Sequence, residues 1–155
     1  MKLFEGLQQE PITHLDLSYY CTAPAGAPVK DVVETLRQSK RNCSLILKDG
    51  KLMGIFTDRD ILRKVVDRPE LWEQAIDQVM TREVLTIAES ATAAEAMAIM
   101  DRFHFRNVPV VRANGEVVGN FTHYSIVKFL ADTFPTEIYN RAPDHTRVAR
   151  RQHGG

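Results

Sequence analysis

The second half of the chain repeats the pattern of the first. The segment GKLMGIFTDRDIL, which starts at Gly50, returns as GEVVGNFTHYSIV from Gly115, with Gly54, Phe56, Thr57 and Ile61 each matched by the same residue type 65 positions later. Upstream, APVKDVVETLRQ from Ala27 matches ATAAEAMAIMDR from Ala91 at an offset of 64. The extra residue falls in a turn, where an insertion costs least. Two copies are too few for a stacked solenoid, so the repeat predicts a pair of similar domains.

Each copy predicts the same order of elements, β-α-β-β-α. A short extended piece, SYYCT or EVLTI, precedes a helix whose apolar residues recur at i, i+3, i+4 and i+7. Two apolar runs around a glycine-containing turn then predict a hairpin. The first helix should bury Val29, Val32, Val33 and Leu36 in one copy and Ala93, Ala96, Met97 and Met100 in the other.

A second helix closes each copy in this prediction. Its apolar face is Ile61, Leu62 and Val65 in the first copy and Ile126, Val127 and Leu130 in the second. Between the copies, Pro69 suits the start of a linking helix in which Trp72, Ile76 and Val79 share a face.

A three-stranded sheet with helices on one side leaves its other face bare, and a second copy can cover it. We therefore predict an α/β (α+β) fold with two repeats packed as a pseudo-twofold pair and clefts where their strand ends meet. The predicted domains are residues 8–69 and 70–136. Residues 137–155 form a basic C-terminal tail without apolar periodicity, which we expect to be mobile.

Composition narrows the classes of partner. Lys+Arg and Asp+Glu both total 20, so no net field favours nucleic acid or a membrane surface. Charged residues interrupt the most apolar region, and no segment is long enough to span a bilayer. The two cysteines are too few for a disulfide scaffold and fit a reduced interior. We predict a cytoplasmic protein without nucleic-acid binding or membrane insertion.

Motifs of common enzyme classes are missing from the sequence. It has no G-x-x-x-x-G-K-[ST], G-x-G-x-x-G or H-E-x-x-H, and no G-x-S-x-G. The five histidines show no metal-ligand spacing. We predict neither enzymatic activity nor a structural metal.

The repeat, together with DQVMTREVLTI, FRNVPVV and GIFTDRDI, resembles a tandem pair of cystathionine-β-synthase-type (CBS) domains, a Bateman module, over roughly residues 8–140. The resemblance implies a non-catalytic regulatory module that binds AMP, ADP, ATP or S-adenosylmethionine in a cleft between the repeats. It also implies a homodimer that regulates an enzyme or transporter. The alternative is a dimerisation or scaffold module without a small-molecule ligand.

Thr57 and Asp60, in the stretch FTDRD, support two interpretations. T-x-x-D at a helix start is the spacing of a capping box, in which both side chains only begin the helix. A hydroxyl and free helix amides also suit a phosphate, and the resemblance implies that the acid holds a ribose. The second copy has Thr122 but Ser125 in place of the acid. We therefore predict one competent adenosine site, centred on Asp60, and one degenerate cleft.

The resemblance places further ligand-binding residues at the strand ends. Arg106 is a candidate phosphate contact, with Arg59 and Arg63 as further candidates or as a solvated helix face. Asp58 is a candidate to help hold Mg²⁺ if the ligand is a triphosphate. Cys21 and Cys43 are either a redox-sensitive pair or two small buried hydrophobic residues. The implied cleft walls are Tyr20, Cys21, Thr22, Cys43, Ser44, Leu45, Leu85, Thr86, Asn107, Val108 and Pro109.

Overall fold

Each repeat forms its own three-stranded sheet. The computed structural model describes residues 2–133, with side chains from residue 5 onward, so the predicted tail lies outside the described residues. In the first repeat β1 (Cys21–Pro24) runs parallel to β2 (Cys43–Lys48), which pairs antiparallel with β3 (Lys51–Thr57). The second repeat has the same order in β4 (Ile87–Ala88), β5 (Asn107–Val111) and β6 (Val117–Thr122). The predicted mixed fold and its repeated strand order are confirmed.

Five α-helices accompany the sheets in residues 2–133, with short 3₁₀ turns between elements, the first at Ile12–His14. The sequence patterns did not predict the first of them, α1. Within these residues no helix has the length and apolar character needed to cross a bilayer. The segments are α1 (Lys2–Gln9), α2 (Val29–Ser39), α3 (Asp58–Asp60, continued by a π-helical turn at Ile61–Val65), α4 (Ala93–Phe103) and α5 (His123–Thr133).

The apolar stripes of α2 and α4 pack on the sheets as predicted. Val29, Val32 and Leu36 are buried in the first core, and Ala93, Ala96 and Met100 are buried in the second. The second helices follow the prediction only in part. Leu62 and Val127 are 70% and 62% exposed, so their predicted burial is wrong. Each lies one residue beyond a core contact, Ile61 or Ile126, on the outer side of its helical turn.

The predicted linking helix from Pro69 is also wrong. The chain forms two short 3₁₀ turns instead, Pro69–Leu71 and Ile76–Gln78. The start of α2 explains the difference, because the amides of Val29 and Lys30 donate to the carbonyls of Gln74 and Trp72. The first amides of a helix have no partner within the helix. Here the linking segment supplies those partners, and its own carbonyls are then not free for helical bonds.

The segment that precedes each repeat packs into the core of the other repeat. Ile12 and Leu15 lie in the core of the second repeat, whereas Ile76, Val79 and Met80 complete the core of the first. The packing therefore crosses the predicted division at residues 69 and 70, and those boundaries stay a proposal. This exchange ties the two halves together and brings residues 81–85 alongside the end of β3.

Candidate functional site

The chain turns from β3 into α3 at Thr57 and Asp60. The amide of Thr57 donates to Asp60 Oδ2 at 2.9 Å, and the Thr57 hydroxyl donates to the same oxygen at 3.3 Å. Asp60 is only 9% exposed. Its carboxylate therefore does what a capping-box acid does, since it returns to the backbone that begins the helix.

The other oxygen of Asp60 is also engaged. Lys64 Nζ lies 3.1 Å from Asp60 Oδ1 and donates to the carbonyl of Val79 at 2.8 Å. Lys64 belongs to the π-helical turn, a geometry that often accompanies functional sites. The acid is thus linked through one ammonium group to the segment that closes the first core.

An open cleft of about 260 Å³ lies beside this helix start. The volume is close to the lower end of the roughly 300–1,000 Å³ typical of ligand pockets. One wall comes from β3 and α3, and the other from residues 81–85 and the segment between α4 and β5. Its lining residues are Asn42, Ile55, Thr57, Asp58, Arg59, Asp60, Arg63, Thr81, Glu83, Val84, Leu85, His104, Phe105, Arg106 and Asn107. We call this space the first cleft.

Five of the residues predicted for the site line the first cleft together. They are Thr57, Asp60, Leu85, Arg106 and Asn107. Arg59 and Arg63, which the sequence left open as a solvated helix face, line it as well. The two repeats thus contribute to one concave surface.

The other predicted residues lie elsewhere. Cys43, Ser44, Leu45 and Val108 are fully buried in the central strands. Their side chains are core residues and do not line the first cleft. Of the remaining predicted residues, Pro109 is buried within β5, Thr86 directly precedes β4, and Tyr20, Cys21 and Thr22 lie at the start of β1 or just before it.

The corresponding helix start in the second repeat is closed. The Ser125 hydroxyl donates to the carbonyl of Asp16 at 2.6 Å and accepts from the amide of Thr122 at 3.1 Å. The amide of Ser125 in turn donates to Thr122 Oγ1 at 3.4 Å. Ser125 therefore takes over the capping role of Asp60 and is fully buried, in contact with the Asp16 carbonyl.

Aromatic side chains cover this second helix start. The rings of Tyr19 and Tyr124 have centroids 5.0 Å apart, and the Arg41 guanidinium lies 4.4 Å above the Tyr19 ring. Beneath them, Asn120 Nδ2 donates to the Tyr19 carbonyl and to Asn107 Oδ1. We call this filled region the second cleft. The protein's own planar side chains occupy it.

Several residues of the first cleft were not predicted. Asn42 lines the cleft, and its Oδ1 is buried without a hydrogen-bond partner within the described residues, as are Ser44 Oγ in β2 and Asn120 Oδ1 in β6. Asn42 immediately precedes the predicted Cys43. Phe105 and Glu83 also line the cleft. No motif in the sequence marked them as cleft residues, although each lies within two residues of a predicted one, Arg106 or Leu85.

The cysteines behave as core residues. Both thiols are free, and Cys21 Sγ lies 3.6 Å from the carbonyl oxygen of Cys43. Burial raises the pKa of the Cys43 thiol far above its usual range, and the neighbouring Cys21 adds to the effect. A thiol held neutral is a poor nucleophile.

The acids near the cleft do not form a cation site by themselves. Asp58 Oδ1 accepts the amide of Arg59 at 2.8 Å, and both oxygens of Asp60 are engaged. Across the described residues, no three His, Cys, Asp or Glu side chains converge as metal ligands. A role for Asp58 in holding Mg²⁺ stays a prediction that depends on a triphosphate.

Comparisons with known proteins find the same two repeats. The family model of the CBS domain matches residues 16–67 and 76–132. A CBS domain-containing protein of Arabidopsis thaliana, CBSCBSPB1, is 32% identical over 113 residues, 71% of this chain and 20% of the relative. Arabinose 5-phosphate isomerase KdsD of Pseudomonas aeruginosa is 34% identical over 98 residues, 63% of this chain and 30% of the isomerase.

Solved structures extend the likeness to the whole pair. The CBS domain pair of protein MJ0100, in complex with 5'-methylthioadenosine and S-adenosyl-L-methionine, has a TM-score of 0.67 and 25% identity, with 81% of this chain and 98% of that chain covered. The CBS-domain containing protein ATU1752 of Agrobacterium tumefaciens has a TM-score of 0.63 and 28% identity, covering 71% and 88%. Among the curated relatives, the chain spans only about a fifth of the Arabidopsis protein and under a third of the isomerase.

Proposed function

The chain belongs to the CBS domain family, and on that premise we propose that it is a non-catalytic regulatory module that binds an adenosine-containing ligand. The ligand class is AMP, ADP, ATP or S-adenosylmethionine, bound in the first cleft. Its binding shifts the arrangement of the two repeats, and a partner protein responds to that shift. A ligand can move such an equilibrium only by its difference in affinity for the two arrangements.

One observation carries the proposal: the open first cleft brings Thr57 and Asp60 of the first repeat together with Leu85, Arg106 and Asn107 of the second. An adenosine offers two ribose hydroxyls that a carboxylate can accept. The pair of protein MJ0100 takes adenosine compounds, and its likeness to this chain supports the same ligand class here.

The contacts of Asp60 suggest how binding would be transmitted. A ribose that takes Asp60 Oδ1 competes with Lys64, which also holds the carbonyl of Val79. Val79 lies in the segment that completes the first core. Occupancy of the cleft would therefore loosen a contact of the segment that joins the repeats.

A scaffold module without a ligand is the second candidate. The specific observation that favours it is the inward-folded Asp60 carboxylate, which already has partners at both oxygens. In that case Asp60 only begins α3, and the cleft is incidental to dimerisation.

Titration calorimetry with AMP, ADP, ATP and S-adenosylmethionine separates the two candidates. We expect Asp60→Asn to weaken binding at least tenfold while leaving the fold intact, because a neutral amide accepts ribose hydroxyls less strongly than a carboxylate. Glu95→Gln is the matched control. Glu95 completes the capping box of Thr92 at the start of α4, and it is not among the residues that line the first cleft. Its change should leave affinity unaltered.

Absence of binding tighter than about 1 mM, worth about 4 kcal/mol, would remove the sensing role and leave the scaffold. Equal binding by wild type and Asp60→Asn would instead remove the assigned role of Asp60.

The homodimer and its target stay predictions, as does the cytoplasmic location. The chain just after α3 and the start of α5 carry exposed apolar side chains that a second copy of the chain would cover, because burying exposed apolar surface favours association. Analytical ultracentrifugation tests this, and a monomer at micromolar concentration would contradict it. These side chains are Leu62, Val66, Tyr124 and Val127.

A further inference from the structure

The chain contains one Asn-Gly sequence, Asn114 and Gly115, in the turn between β5 and β6. The side chain of Asn114 is exposed, as is usual for a residue of a surface turn. The backbone nitrogen that follows an asparagine can attack the side-chain amide, and a glycine leaves this nitrogen unobstructed because it has no Cβ. The turn therefore places an amide carbon beside the least hindered backbone nucleophile that a protein offers.

A backbone donor already holds the side-chain oxygen of Asn114. The amide of Glu116 donates to Asn114 Oδ1 at 3.0 Å. When a nucleophile attacks the amide carbon, negative charge develops on this oxygen, and a fixed N–H group aimed at it stabilises the tetrahedral intermediate. The attacking nitrogen of Gly115 donates to the Arg112 carbonyl at 3.0 Å, so attack follows the opening of that one bond. Bonds at an exposed turn open at little cost in free energy.

The matched turn of the first repeat has a different backbone geometry. Asp49 and Gly50 stand 65 residues before Asn114 and Gly115, and both have a positive φ, 53° and 78°. This is the two-residue turn that Asp-Gly favours. In the second turn only the glycine has a positive φ, at 88°. The aspartate of the first turn also shows that the fold accepts an acid at this point of a hairpin.

The two turns meet, and their contact joins the repeats. Lys51 and Glu116 form an isolated antiparallel bridge, and the amide of Val117 donates to the Gly50 carbonyl at 3.5 Å. We call this contact the turn junction. β3 runs from the turn junction to the first cleft, so the two lie at opposite ends of the strand. A chemical change in the second turn therefore acts on a junction of the repeats that is remote from the proposed ligand site.

We propose that Asn114 is a deamidation site and that its isoaspartate product weakens the turn junction. The Gly115 nitrogen loses its proton to hydroxide and bonds to Asn114 Cγ, and Nδ2 leaves as ammonia with a proton taken from water. The succinimide that results takes up one water molecule. Opening of the Cγ–N bond gives aspartate, whereas opening of the bond from the nitrogen to the main-chain carbonyl carbon gives isoaspartate. Water is the only co-reactant, and nothing is oxidised or reduced.

The two products differ in the path of the main chain. Isoaspartate routes the backbone through the former side chain and lengthens the turn by one atom. Because the length of the turn fixes the register of a hairpin, we expect the bridge between Lys51 and Glu116 to open. Aspartate keeps the normal path, and its carboxylate can still accept from the Glu116 amide. The effect of the added charge can thus be separated from the effect of the altered path.

Incubation of the full chain at 37 °C, followed by peptide mass spectrometry and isoaspartyl methyltransferase labelling, tests the modification. We expect a gain of one mass unit confined to the peptide with Asn114. It should be at least tenfold faster at pH 8 than at pH 6, because the attacking nitrogen must lose its proton.

Asp49→Asn is the matched control, because it puts an Asn-Gly sequence into the other turn. There the residue after the glycine, Lys51, pairs with Lys48 in the strand register. The new side chain should therefore react at least threefold more slowly than Asn114. Equal rates in the two turns would overturn the role of the Glu116 amide, and reaction of other asparagines before Asn114 would overturn the site.

Hydrogen exchange of the separated isoaspartate form tests the consequence for the turn junction. The Val117 amide should exchange with solvent deuterium at least tenfold faster than in the wild type, whereas Asn114→Asp should change its rate by less than threefold. Equal rates in all three forms would overturn the weakening of the junction, and an equal rise in Asn114→Asp would overturn the role of the chain path. None of these measurements needs a ligand, so the inference stands or falls independently of the proposed function.

Discussion

In the first repeat the third residue after the threonine of the helix start is Asp60, and in the second it is Ser125. Both accept from the backbone amide of that threonine, at 2.9 and 3.1 Å. Beyond this shared bond the surroundings differ. Asp60 borders an open cleft that Arg59, Arg63 and Arg106 also line, whereas Ser125 is buried and donates to the Asp16 carbonyl, next to the tilted ring pair of Tyr19 and Tyr124.

The difference shows which features the fold needs. Ser125 accepts from the Thr122 amide as Asp60 accepts from the Thr57 amide, so this backbone bond does not require a carboxylate. The charge on Asp60 is therefore not needed to form that bond. Features that one copy keeps and the other replaces without loss of the backbone bond are candidates for function.

The largest expected effect concerns the two glycines where the exchanged segments cross the sheets. A Cβ at Gly119 would collide with Leu17 Cβ and would lie 2.9 Å from the Leu17 carbonyl oxygen. At Gly54 the closest atom would be the flexible Met80 Sδ at 2.6 Å. We expect Gly119→Ala to lower the free energy of unfolding by about 3 kcal/mol and Gly54→Ala by about 1–2 kcal/mol. Urea unfolding measures both.

Ligand affinity distinguishes the two glycine variants further. Gly54→Ala also presses on the Thr81 carbonyl, and Thr81 lines the first cleft, so ATP binding should weaken. Gly119→Ala should leave binding by the folded protein unchanged. A loss of affinity in Gly119→Ala alone would mean that the second cleft is the ligand site.

A smaller effect is expected at Ser125. Ser125→Ala leaves the Thr122 amide and the Asp16 carbonyl without their side-chain partner in a buried place. We expect a loss of about 2 kcal/mol in the free energy of unfolding, because an unsatisfied buried group costs about 1–3 kcal/mol. Nucleotide affinity should stay within twofold of the wild type. Calorimetry checks this, and a tenfold loss would assign a ligand to the second cleft.

The sequence predicted those parts of the fold that local pattern determines. The repeat at two offsets, the apolar spacing of α2 and α4 and the glycine-containing hairpins all led to the observed sheets. The cleft residues nearest a motif, Thr57 and Asp60, were also found. These signals lie within a few residues of the positions that they describe.

Contacts between distant segments could not be predicted in the same way. Pro69 and the apolar spacing after it favoured a helix, but bonds from Val29 and Lys30 to the linking segment override that local preference. The filling of the second cleft depends on Tyr19 meeting Tyr124, more than a hundred residues later in the chain. Ser125 gave the only hint of that closure.

The smallest expected effect concerns Asp16, whose backbone carbonyl accepts the Ser125 hydroxyl at the second cleft and whose side chain makes stability depend on pH. Hydrogen bonds from the Ser18 hydroxyl and amide, followed by Lys128, hold the pKa of Asp16 below its usual value of 3.8. A carboxyl with a lowered pKa in the folded state stabilises the protein above its unfolded pKa, and this contribution is lost as the pH falls through the folded pKa. Asp16→Asn should therefore lower the unfolding free energy at pH 7 by less than about 1 kcal/mol.

The difference between Asp16→Asn and the wild type should shrink steadily below about pH 4, where the wild-type carboxyl takes up its proton. Urea unfolding from pH 3 to pH 7 measures it. Lys128→Met is the matched variant. Lys128 lowers the pKa of Asp16 less than the two Ser18 hydrogen bonds do, so this variant should lose less unfolding free energy than Asp16→Asn. A pH-independent difference would mean that the amide disturbs packing around Ser125. The closure of the second cleft would then depend on shape rather than on the charge of Asp16.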